Sequence, residues 1–345
     1  MIEASNNRNN NNKVSALYVF GDSTVDPGNN NYIRTAFKSN FVPYGIDFAD
    51  HVPTGRFTNG KLGTDFIASY VGLKDLVPPY LDPNITNQEL ITGVSFASAG
   101  SGYDPLTPTI SNVISIPRQL EHFREYKNRL ESILGKQKTE DHMKKAIFFI
   151  SAGTNDFVIN YFTLPIRRRT HTLLAYHQFL LRHVQDFIQE LLSEGARKLA
   201  VVGLPPMGCL PIMITFNSNN AFLDRGCVDV FSSVARNHNL LLQNHLNLMQ
   251  LNSSLSATAA KISYIDIYHP LSNMIQDPRN NGFDEVDSGC CGSGYIEAAF
   301  MCNRASHLCS DASKYVFWDS IHPTEKAYYN LYMDSRHVID ALVNA

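Results

Sequence analysis

The chain has 345 residues, of which 44% are aliphatic or aromatic, so it can bury a substantial hydrophobic core. Only 18% are charged, which argues against a disordered or coiled-coil protein. With 29 basic and 32 acidic residues the net charge is -3, which argues against nucleic acid as a partner, and no apolar run reaches the roughly 18 residues of a membrane-spanning helix.

The first part of the chain is polar and rich in asparagine. Residues 1–14 contain no apolar segment of the kind that a signal peptide needs, and we expect them to form a disordered N-terminal arm. The remaining residues, 15–345, show no internal repeat. We expect them to form a single domain.

Short apolar runs then alternate with longer amphipathic stretches, which is typical of an α/β protein with a parallel sheet. The runs are continuously apolar rather than alternating, which suits strands that helices cover on both faces. The five predicted strands are Ala16–Phe20, Val94–Ala97, Ala146–Ser151, Lys198–Val202 and Ile262–Asp266.

The helices are predicted from apolar residues at a period near 3.6 and from residues that begin or end a helix. In one of them, Pro117 lies near the start and Gly135 follows the last residue. The predicted helices are Gly63–Val71, Pro117–Leu134, Thr172–Ser193, Val228–Leu251 and Glu325–Leu342.

Two long segments, 27–93 and 267–318, do not fit this alternation. Structureless segments of this length are uncommon inside a compact domain unless they serve a function. We expect both to lie at one end of the sheet and to form the walls of a cleft.

A candidate nucleophile follows the first predicted strand. The sequence Gly21-Asp22-Ser23 places a hydroxyl at the carboxyl edge of the sheet, where open α/β folds bind ligands. Ser23 can act as a nucleophile only if a base reaches its hydroxyl. From this tripeptide alone, the simpler interpretation is that Ser23 caps the following turn.

Asp319 and His322 form a second candidate group. Residues three apart can share one face of a helical turn, so the carboxylate could hold one imidazole nitrogen while the other faces a serine. Taken alone, the pair fits equally an Asp that caps the last helix and a His on the surface.

Two further turns follow predicted strands. Asn155, after the third strand, carries an amide that can donate to an oxyanion, and the glycines of residues 97–102, after the second, let the backbone approach a substrate. Each also fits an ordinary strand-to-helix turn. Because a hydroxyl and two sets of donors follow the first three strands in order, they predict a catalytic site at the carboxyl edge.

The six cysteines, four of them between residues 290 and 309, are typical of a secreted protein stapled by disulfides. The spacing does not fix which of them pair, although Cys209 and Cys227, the two outside the cluster, are a candidate pair. A zinc site is disfavoured, because the adjacent Cys290 and Cys291 cannot easily reach one tetrahedral ion.

Two other kinds of motif carry less weight. The predicted helices hold histidines six and seven residues apart (177/183 and 238/245) rather than four, so they predict no two-histidine metal face. The sequons at Asn84 and Asn252 are candidate glycosylation sites, but a chain of this length is expected to contain one or two by chance.

Taken together, these motifs resemble the plant-type GDSL esterase/lipases of the SGNH hydrolase superfamily, from about residue 15 to residue 343. Thr24 stands where the family's name motif has Leu, at a position that is not catalytic. The matching segments are FGDSTVDPGNNNY (20–32), PTGRFTNGK (53–61), GVSFASAGSGYD (93–104), SAGTNDF (151–157), LPPMGCLP (204–211), CCGSGY (290–295) and DASKYVFWDSIHPTEKAYY (311–329).

The resemblance implies a flavodoxin-like, three-layer α/β/α sandwich with a five-stranded parallel sheet. It implies that Ser23 is the nucleophile, His322 the general base and Asp319 the residue that orients His322. No metal or organic cofactor is implied. The implied oxyanion hole comprises the backbone N–H of Ser23, the backbone N–H of Gly100 (or, as the alternative, Gly102) and the side chain of Asn155.

The implied function is that of a secreted serine esterase or lipase, extracellular or in the cell wall, acting on lipid, acetyl or phenolic esters through an acyl-enzyme. Two alternatives keep the same fold: an acyltransferase that passes the acyl group to an alcohol, and a non-catalytic binding or defence protein. A phosphatase of the haloacid dehalogenase type, with Asp22 as nucleophile, is disfavoured because it needs a second Asp where this chain has Thr24.

Overall fold

A computed structural model describes residues 14–218, 220, 223–254, 259–292 and 302–345. The N-terminal arm expected over residues 1–14 lies outside this part of the chain, except for Val14. The last residues of the CCGSGY segment lie outside it as well.

The centre of the fold is a parallel sheet of four strands in the order β1-β2-β3-β4. All residues of β1, β2 and β3 are buried, as expected for strands that helices cover on both faces. The register pairs Gly21 with Ser151, so the carboxyl ends of β1 and β2 lie side by side. The strands are β1 (Leu17–Gly21), β2 (Ile147–Ser151), β3 (Lys198–Val202) and β4 (Lys261–Ile265).

The prediction of a fifth strand at Val94–Ala97 is not confirmed. This segment runs parallel to β1 and forms an isolated bridge between Ser95 and Val19. The Val19 N–H donates to the Val94 carbonyl at 3.1 Å, and the Phe96 N–H donates to the Val19 carbonyl at 2.8 Å. On its other side Ser95 bridges to Pro79, which has no N–H to donate, so no regular ladder extends there.

The predicted helices lie within a few residues of their expected bounds, and several shorter helices accompany them. A π-helix, Asp156–Thr163, follows β2. The α-helices are α1 (Gly63–Tyr70), α2 (Asn87–Ile91), α3 (Leu106–Ser111), α4 (Ile116–Leu134), α5 (Lys136–Lys145), α6 (Leu173–Ser193), α7 (Pro211–Asn217), α8 (Asp229–Ser254), α9 (Tyr268–Gln276) and α10 (Glu325–Val343).

Helices cover both faces of the sheet. Alternate residues of the strands, such as Tyr18 and Phe148, pack with α4, α6 and α8 in one apolar core. Their neighbours, such as Val19 and Phe149, pack with α1 and α10 in a second core. This division follows from the period of two along a strand, which sends successive side chains to opposite faces.

Short strands and disulfides organise the segment before α10. β5 (Glu285–Gly289) pairs in parallel with β8 (Tyr315–Phe317), and β6 (Cys291–Gly292) pairs with β7 (His307–Leu308). The prediction of disulfides is confirmed, and so is the candidate pair of cysteines outside the cluster. The three bonds are Cys209–Cys227, Cys290–Cys309 and Cys291–Cys302.

The described ranges contain no group of three His, Cys, Asp or Glu side chains that could hold a metal ion. None of the described helices is both long enough and apolar enough to cross a membrane.

A buried pair of histidines joins α6 to α8. The Nδ1 atoms of His177 and His238 lie 3.1 Å apart, and the ring of Phe157 packs against both imidazoles. Burial lowers the pKa of His177 to about 4. Burial, together with the neighbouring His177, lowers the pKa of His238 to about 3. At pH values between about 4 and 6.5, the folded protein therefore holds both imidazoles neutral, whereas the unfolded chain protonates them.

From the buried pair of His177 and His238 we expect the protein to lose stability in mild acid. The folded-state pKa values of both histidines lie below the ordinary value of about 6.5. The free energy of unfolding is therefore unaffected by their titration above that pH. It falls as the pH drops from there towards about 4, by roughly 1.4 kcal/mol per pH unit for each histidine. Urea unfolding at pH 7.5 and pH 5 measures the loss, and we expect His238→Asn to reduce it.

His307→Asn is the matched control, because His307 is exposed on β7. We expect this variant to lose as much stability between the two pH values as the unmodified protein. An equal loss in His238→Asn would contradict the assignment of the acid sensitivity to the pair.

Candidate active site

The site begins where β1 ends. Gly21 has a φ of +142°, and a Cβ at this position would lie 1.8 Å from the carbonyl oxygen of Ser151 on β2. The amide of Gln119, from α4, donates to the Gly21 carbonyl and accepts from the Gly21 N–H, both at 2.9 Å. Only glycine fits this turn, which presents Asp22 and Ser23 at the carboxyl edge of the sheet.

The structure brings the three predicted residues Ser23, His322 and Asp319 into one chain of hydrogen bonds. The Nε2 atom of His322 lies 2.8 Å from Ser23 Oγ. Its Nδ1 atom lies 2.8 Å from each carboxylate oxygen of Asp319. Because the carboxylate accepts the proton on Nδ1, Nε2 is the acceptor for the serine hydroxyl. All three side chains are buried.

The local geometry of Asp319 and His322 differs from the predicted helical turn. Residues 318–322 form a turn in which the Trp318 N–H donates to the His322 carbonyl at 2.7 Å. Asp319 Oδ1 accepts from the backbone N–H groups of Ile321 and His322 at 2.9 and 2.8 Å. Pro323 follows and disfavours the helical conformation at His322, which explains the difference.

Tyr44 also contacts the acidic residue. Its hydroxyl donates to Asp319 Oδ2 at 2.8 Å and accepts from the Cys302 N–H at 3.1 Å. Burial is the main cause that raises the pKa of Tyr44 well above its ordinary value, and the negative charge of the nearby Asp319 raises it further. The hydroxyl therefore stays protonated. Sequence reasoning missed this residue, which stands in a long segment without periodicity that could have singled it out.

Gly100 and Asn155 line a small cavity together with Ser23 and His322. The Asn155 amide donates to the Ser101 carbonyl at 2.9 Å, and this bond uses one of its two N–H groups. Within the described part of the chain, the backbone N–H groups of Ser23 and Gly100 donate to no protein acceptor. Three residues that line this cavity therefore each have an N–H group without a protein acceptor in the described part of the chain.

Gly102, the predicted alternative to Gly100, does not line this cavity. A Cβ at Gly102 would lie 2.2 Å from a carboxylate oxygen of Asp156. That carboxylate accepts from the backbone N–H groups of Tyr103 and Asp104 at 2.9 and 3.1 Å. Gly102 thus lets the turn after Gly100 pack against Asp156, the residue that follows Asn155.

The Gly100 turn is also held by the loop after β1. Asp26 accepts from the Ala99 N–H at 2.9 Å, and the Asn30 amide donates to the Ala99 carbonyl at 2.9 Å. Asn29 donates to the carbonyls of Ser95 and Ala97. Sequence reasoning did not single out these residues, although three consecutive asparagines after a buried strand are a signal for such backbone contacts.

Asp22 is fully buried behind the serine. Burial raises its pKa to about 6, although hydrogen bonds from Thr24 act in the opposite direction. The Thr24 hydroxyl donates to Asp22 Oδ1 at 2.8 Å and lies 2.9 Å from the Ser151 hydroxyl. The Thr that departs from the family's name motif therefore contributes a hydroxyl to this network.

Comparison with known proteins shows the family to which the chain belongs. The family model of GDSL-like lipases and acylhydrolases matches residues 17–334. The chain belongs to this family. It is therefore a carboxylic ester hydrolase of GDSL type, and the resemblance seen in the sequence is confirmed.

Its curated relatives are similar over nearly the whole chain. GDSL esterase/lipase At5g45960 of Arabidopsis thaliana is 61% identical over 332 residues, which span 96% of this chain and 88% of the relative. GDSL esterase/lipase At1g06990 of the same plant is 46% identical over 313 residues, which span 91% of this chain and 86% of the relative.

In this GDSL hydrolase, Tyr44→Phe removes one hydrogen bond from the Asp319 carboxylate. We expect kcat for an aryl ester to fall about tenfold with KM little changed, because a hydrogen bond to a charged group contributes about 1.5 kcal/mol or more. Steady-state kinetics on 4-nitrophenyl acetate measure both parameters.

Tyr126→Phe provides the matched control. Tyr126 is equally buried, and its hydroxyl donates to the Leu90 carbonyl, remote from Asp319. We expect it to lower the melting temperature and leave kcat unchanged. If both variants changed kcat alike, the role of Tyr44 would be general stability and not the orientation of Asp319.

Proposed function

We propose that this protein is a secreted serine esterase in which Ser23 is the nucleophile, His322 the general base and Asp319 the residue that orients it. The observation that carries the proposal is the position of one imidazole, whose two nitrogens lie 2.8 Å from the serine hydroxyl and from the carboxylate. A nucleophile, a base within hydrogen-bond reach and an orienting group are the elements of hydroxyl activation.

In the first half of the reaction, Ser23 Oγ attacks the carbonyl carbon of the ester while its proton moves to His322 Nε2. The carbonyl oxygen becomes an oxyanion, which the N–H groups of Ser23, Gly100 and Asn155 stabilise. When the intermediate collapses, the alcohol oxygen leaves with the proton from Nε2. The acyl group stays on Ser23 as an ester.

In the second half, water enters and gives a proton to His322 Nε2 as its oxygen attacks the acyl carbon. The same donors stabilise the second oxyanion, and the proton returns to Ser23 Oγ as the carboxylic acid leaves. Throughout the cycle, the Asp319 carboxylate keeps the Nδ1 proton in place and stabilises the imidazolium that forms twice.

The location and the fold are part of the proposal. The three disulfides support secretion to an oxidising compartment such as the extracellular space or the cell wall. We treat residues 15–345 as one SGNH domain. If the segment at Ser95 is counted as the second strand, the strand order becomes 2-1-3-4-5, which is that of flavodoxin-like folds.

Three substitutions test the assignment of roles. We expect Ser23→Ala and His322→Ala each to lower kcat on 4-nitrophenyl acetate by at least about 10³-fold. The first variant removes the nucleophile, and the second removes the base that accepts and returns the proton. We expect Asn155→Ala to lower it by roughly 10² to 10³-fold, the usual cost of one oxyanion donor.

A fluorophosphonate probe checks the nucleophile independently. The unmodified protein and Ser132→Ala, a control at an exposed serine of α4, should be labelled, and Ser23→Ala should not. Near-normal turnover in Ser23→Ala or His322→Ala would refute the assignment. An unlabelled and inactive unmodified protein would favour a binding protein, and transfer of the acyl group to an added alcohol in preference to water would favour an acyltransferase.

A further inference from the structure

A buried polar cluster lies beside the turn that carries Gly100. It contains two carboxylates, Asp104 and Asp156, and both residues are fully buried. Burying a carboxylate is costly unless hydrogen bonds or an opposite charge compensate for the lost water. The cluster therefore needs a reason, and its contacts lead to the proposed oxyanion donors.

Asp156 holds the turn after Gly100. Its carboxylate accepts from the backbone N–H groups of Tyr103 and Asp104 at 2.9 and 3.1 Å, and from the Thr107 hydroxyl. Burial raises the pKa of Asp156 to about 7, and the charge of the nearby Asp104 acts in the same direction. The three hydrogen bonds oppose this shift, and they fasten the turn to the residue that follows Asn155.

Asn155 holds the same turn at its other end. Its amide donates to the Ser101 carbonyl at 2.9 Å, and this carbonyl is its one protein acceptor within the described part of the chain. The Ser101 carbonyl therefore sets the direction of the amide, including the second N–H group that we assign to the oxyanion. Two consecutive residues, 155 and 156, thus clamp the turn of residues 101–104 at both ends.

Arg167 closes the cluster at the surface. It belongs to a short 3-10 helix, Arg167–Arg169, and its side chain is 23% exposed. Its Nε and Nη2 atoms donate to the two carboxylate oxygens of Asp104, both at 2.6 Å. A pair of parallel hydrogen bonds fixes the orientation of both groups, which a single contact does not.

The charge of Arg167 serves both carboxylates. Burial alone would raise the pKa of Asp104, but hydrogen bonds from Arg167 and from the Leu106 N–H hold it below its ordinary value. Hydrogen bonds to Asp104 raise the pKa of Arg167, and the charge of Asp156 raises it further. Among the described residues, no other Lys, Arg or His side chain forms an ion pair with either carboxylate.

Contacts from α6 hold this ion pair in place. The Tyr176 hydroxyl lies 3.0 Å from Asp104 Oδ2 and 3.2 Å from the Asp156 carbonyl, and it shares its one proton between these acceptors. The ring of Phe179 packs against Arg167, with the guanidinium carbon 5.4 Å from the ring centre. Because Tyr176 belongs to the central core, the pair is anchored to a regular element.

We propose that Arg167 is a positioning residue for the oxyanion donors. Through the carboxylate of Asp104 it fixes the turn of residues 101–104. That turn fixes Gly100, which precedes it, and the amide of Asn155, which donates to it. Arg167 itself touches no reacting atom. The inference rests on the proposed function, because it takes Gly100 and Asn155 as donors to the oxyanion.

Arg167→Gln tests the proposal. The variant leaves two buried carboxylates without their counter-ion, so the turn and the Asn155 amide shift from their positions. Because the oxyanion forms only as the reaction proceeds, the loss falls on kcat and not on KM. On 4-nitrophenyl acetate, we expect kcat to decrease at least about tenfold and KM to stay within about twofold. An unchanged kcat in the folded variant would overturn the proposal.

Arg169→Gln is the matched control, because it makes the same change in the same short helix at an exposed side chain. We expect both kcat and KM to equal those of the unmodified protein. An equal decrease of kcat in the two variants would show that the charge of the helix matters and not the contact with Asp104, and would overturn the proposal.

A double-mutant cycle separates positioning from a general effect on the fold. If Arg167 acts on the Asn155 amide, removing the amide also removes most of what Arg167 contributes. In the Asn155→Ala background, we therefore expect Arg167→Gln to lower kcat by at most about threefold. A purely structural role would give the same factor in both backgrounds, and that result would overturn the proposal.

Arg167→Lys covers the case in which the glutamine variant does not fold. Lysine keeps a positive charge beside Asp104, but an ammonium group cannot reproduce the two parallel hydrogen bonds. We expect a melting temperature near that of the unmodified protein and a kcat about threefold lower, with no such decrease in the Asn155→Ala background. A normal kcat in Arg167→Lys would then show that only folding needs the charge, and would overturn the proposal.

The same variants distinguish this inference from the proposed reaction. Normal turnover in Asn155→Ala would remove the proposed oxyanion hole, and the role of Arg167 with it. A loss of turnover in Asn155→Ala beside normal turnover in Arg167→Gln would remove the role of Arg167 alone and leave the reaction as proposed.

Discussion

The hydrogen bond between His322 and Ser23 joins positions 299 residues apart, and much of the architecture serves to hold its two ends together. One end is fixed by β1, whose residues are all buried and which pairs with β2 along its whole length. The other end belongs to an irregular turn between β8 and α10, where the Cys291 N–H of β6 donates to the Trp318 carbonyl at 2.7 Å. Its position therefore depends on contacts from elsewhere in the chain.

The long segment between β1 and the second predicted strand supplies many of those contacts. Tyr44 donates to Asp319, the Thr58 hydroxyl donates to the Pro323 carbonyl at 3.0 Å, and the Asn59 side chain accepts from the Glu325 N–H at 2.8 Å. The segment was predicted to form the wall of a cleft. The segment also holds the turn that carries the imidazole through these hydrogen bonds. Side chains of the segment such as Tyr44 are therefore buried, although no periodicity in the sequence marks them.

Regular elements were the predictable part of the fold. The four strands and the helices α1, α4, α6, α8 and α10 follow from hydrophobic periodicity, because burial on a sheet or along one helix face imposes a repeat on the sequence. Short helices such as α2 and α3 carry too few turns for a repeat, and α5 is polar at most positions, so periodicity could not identify them.

The candidate site was predictable residue by residue but not as a geometry. Motifs identified Ser23, Asn155 and His322, each of which follows or precedes a regular element. The turn at Asp319 depends on Pro323 and on hydrogen bonds to its own backbone. The position of Gly100, and not Gly102, in the lining of the small cavity leaves no repeat in the sequence, because it arises from contacts between distant segments.

The turn at Gly21 has a consequence for how the hydroxyl beside it can move. Its neighbours on β2 leave no room for a side chain, and both of its backbone polar groups are bonded to Gln119. The serine two residues later therefore follows a buried strand whose last residue is held on all sides, whereas the imidazole and the carboxylate are carried by an irregular turn. In the proposed reaction, the sheet thus sets the position of the attacking oxygen, and side-chain contacts from distant segments set the position of the base.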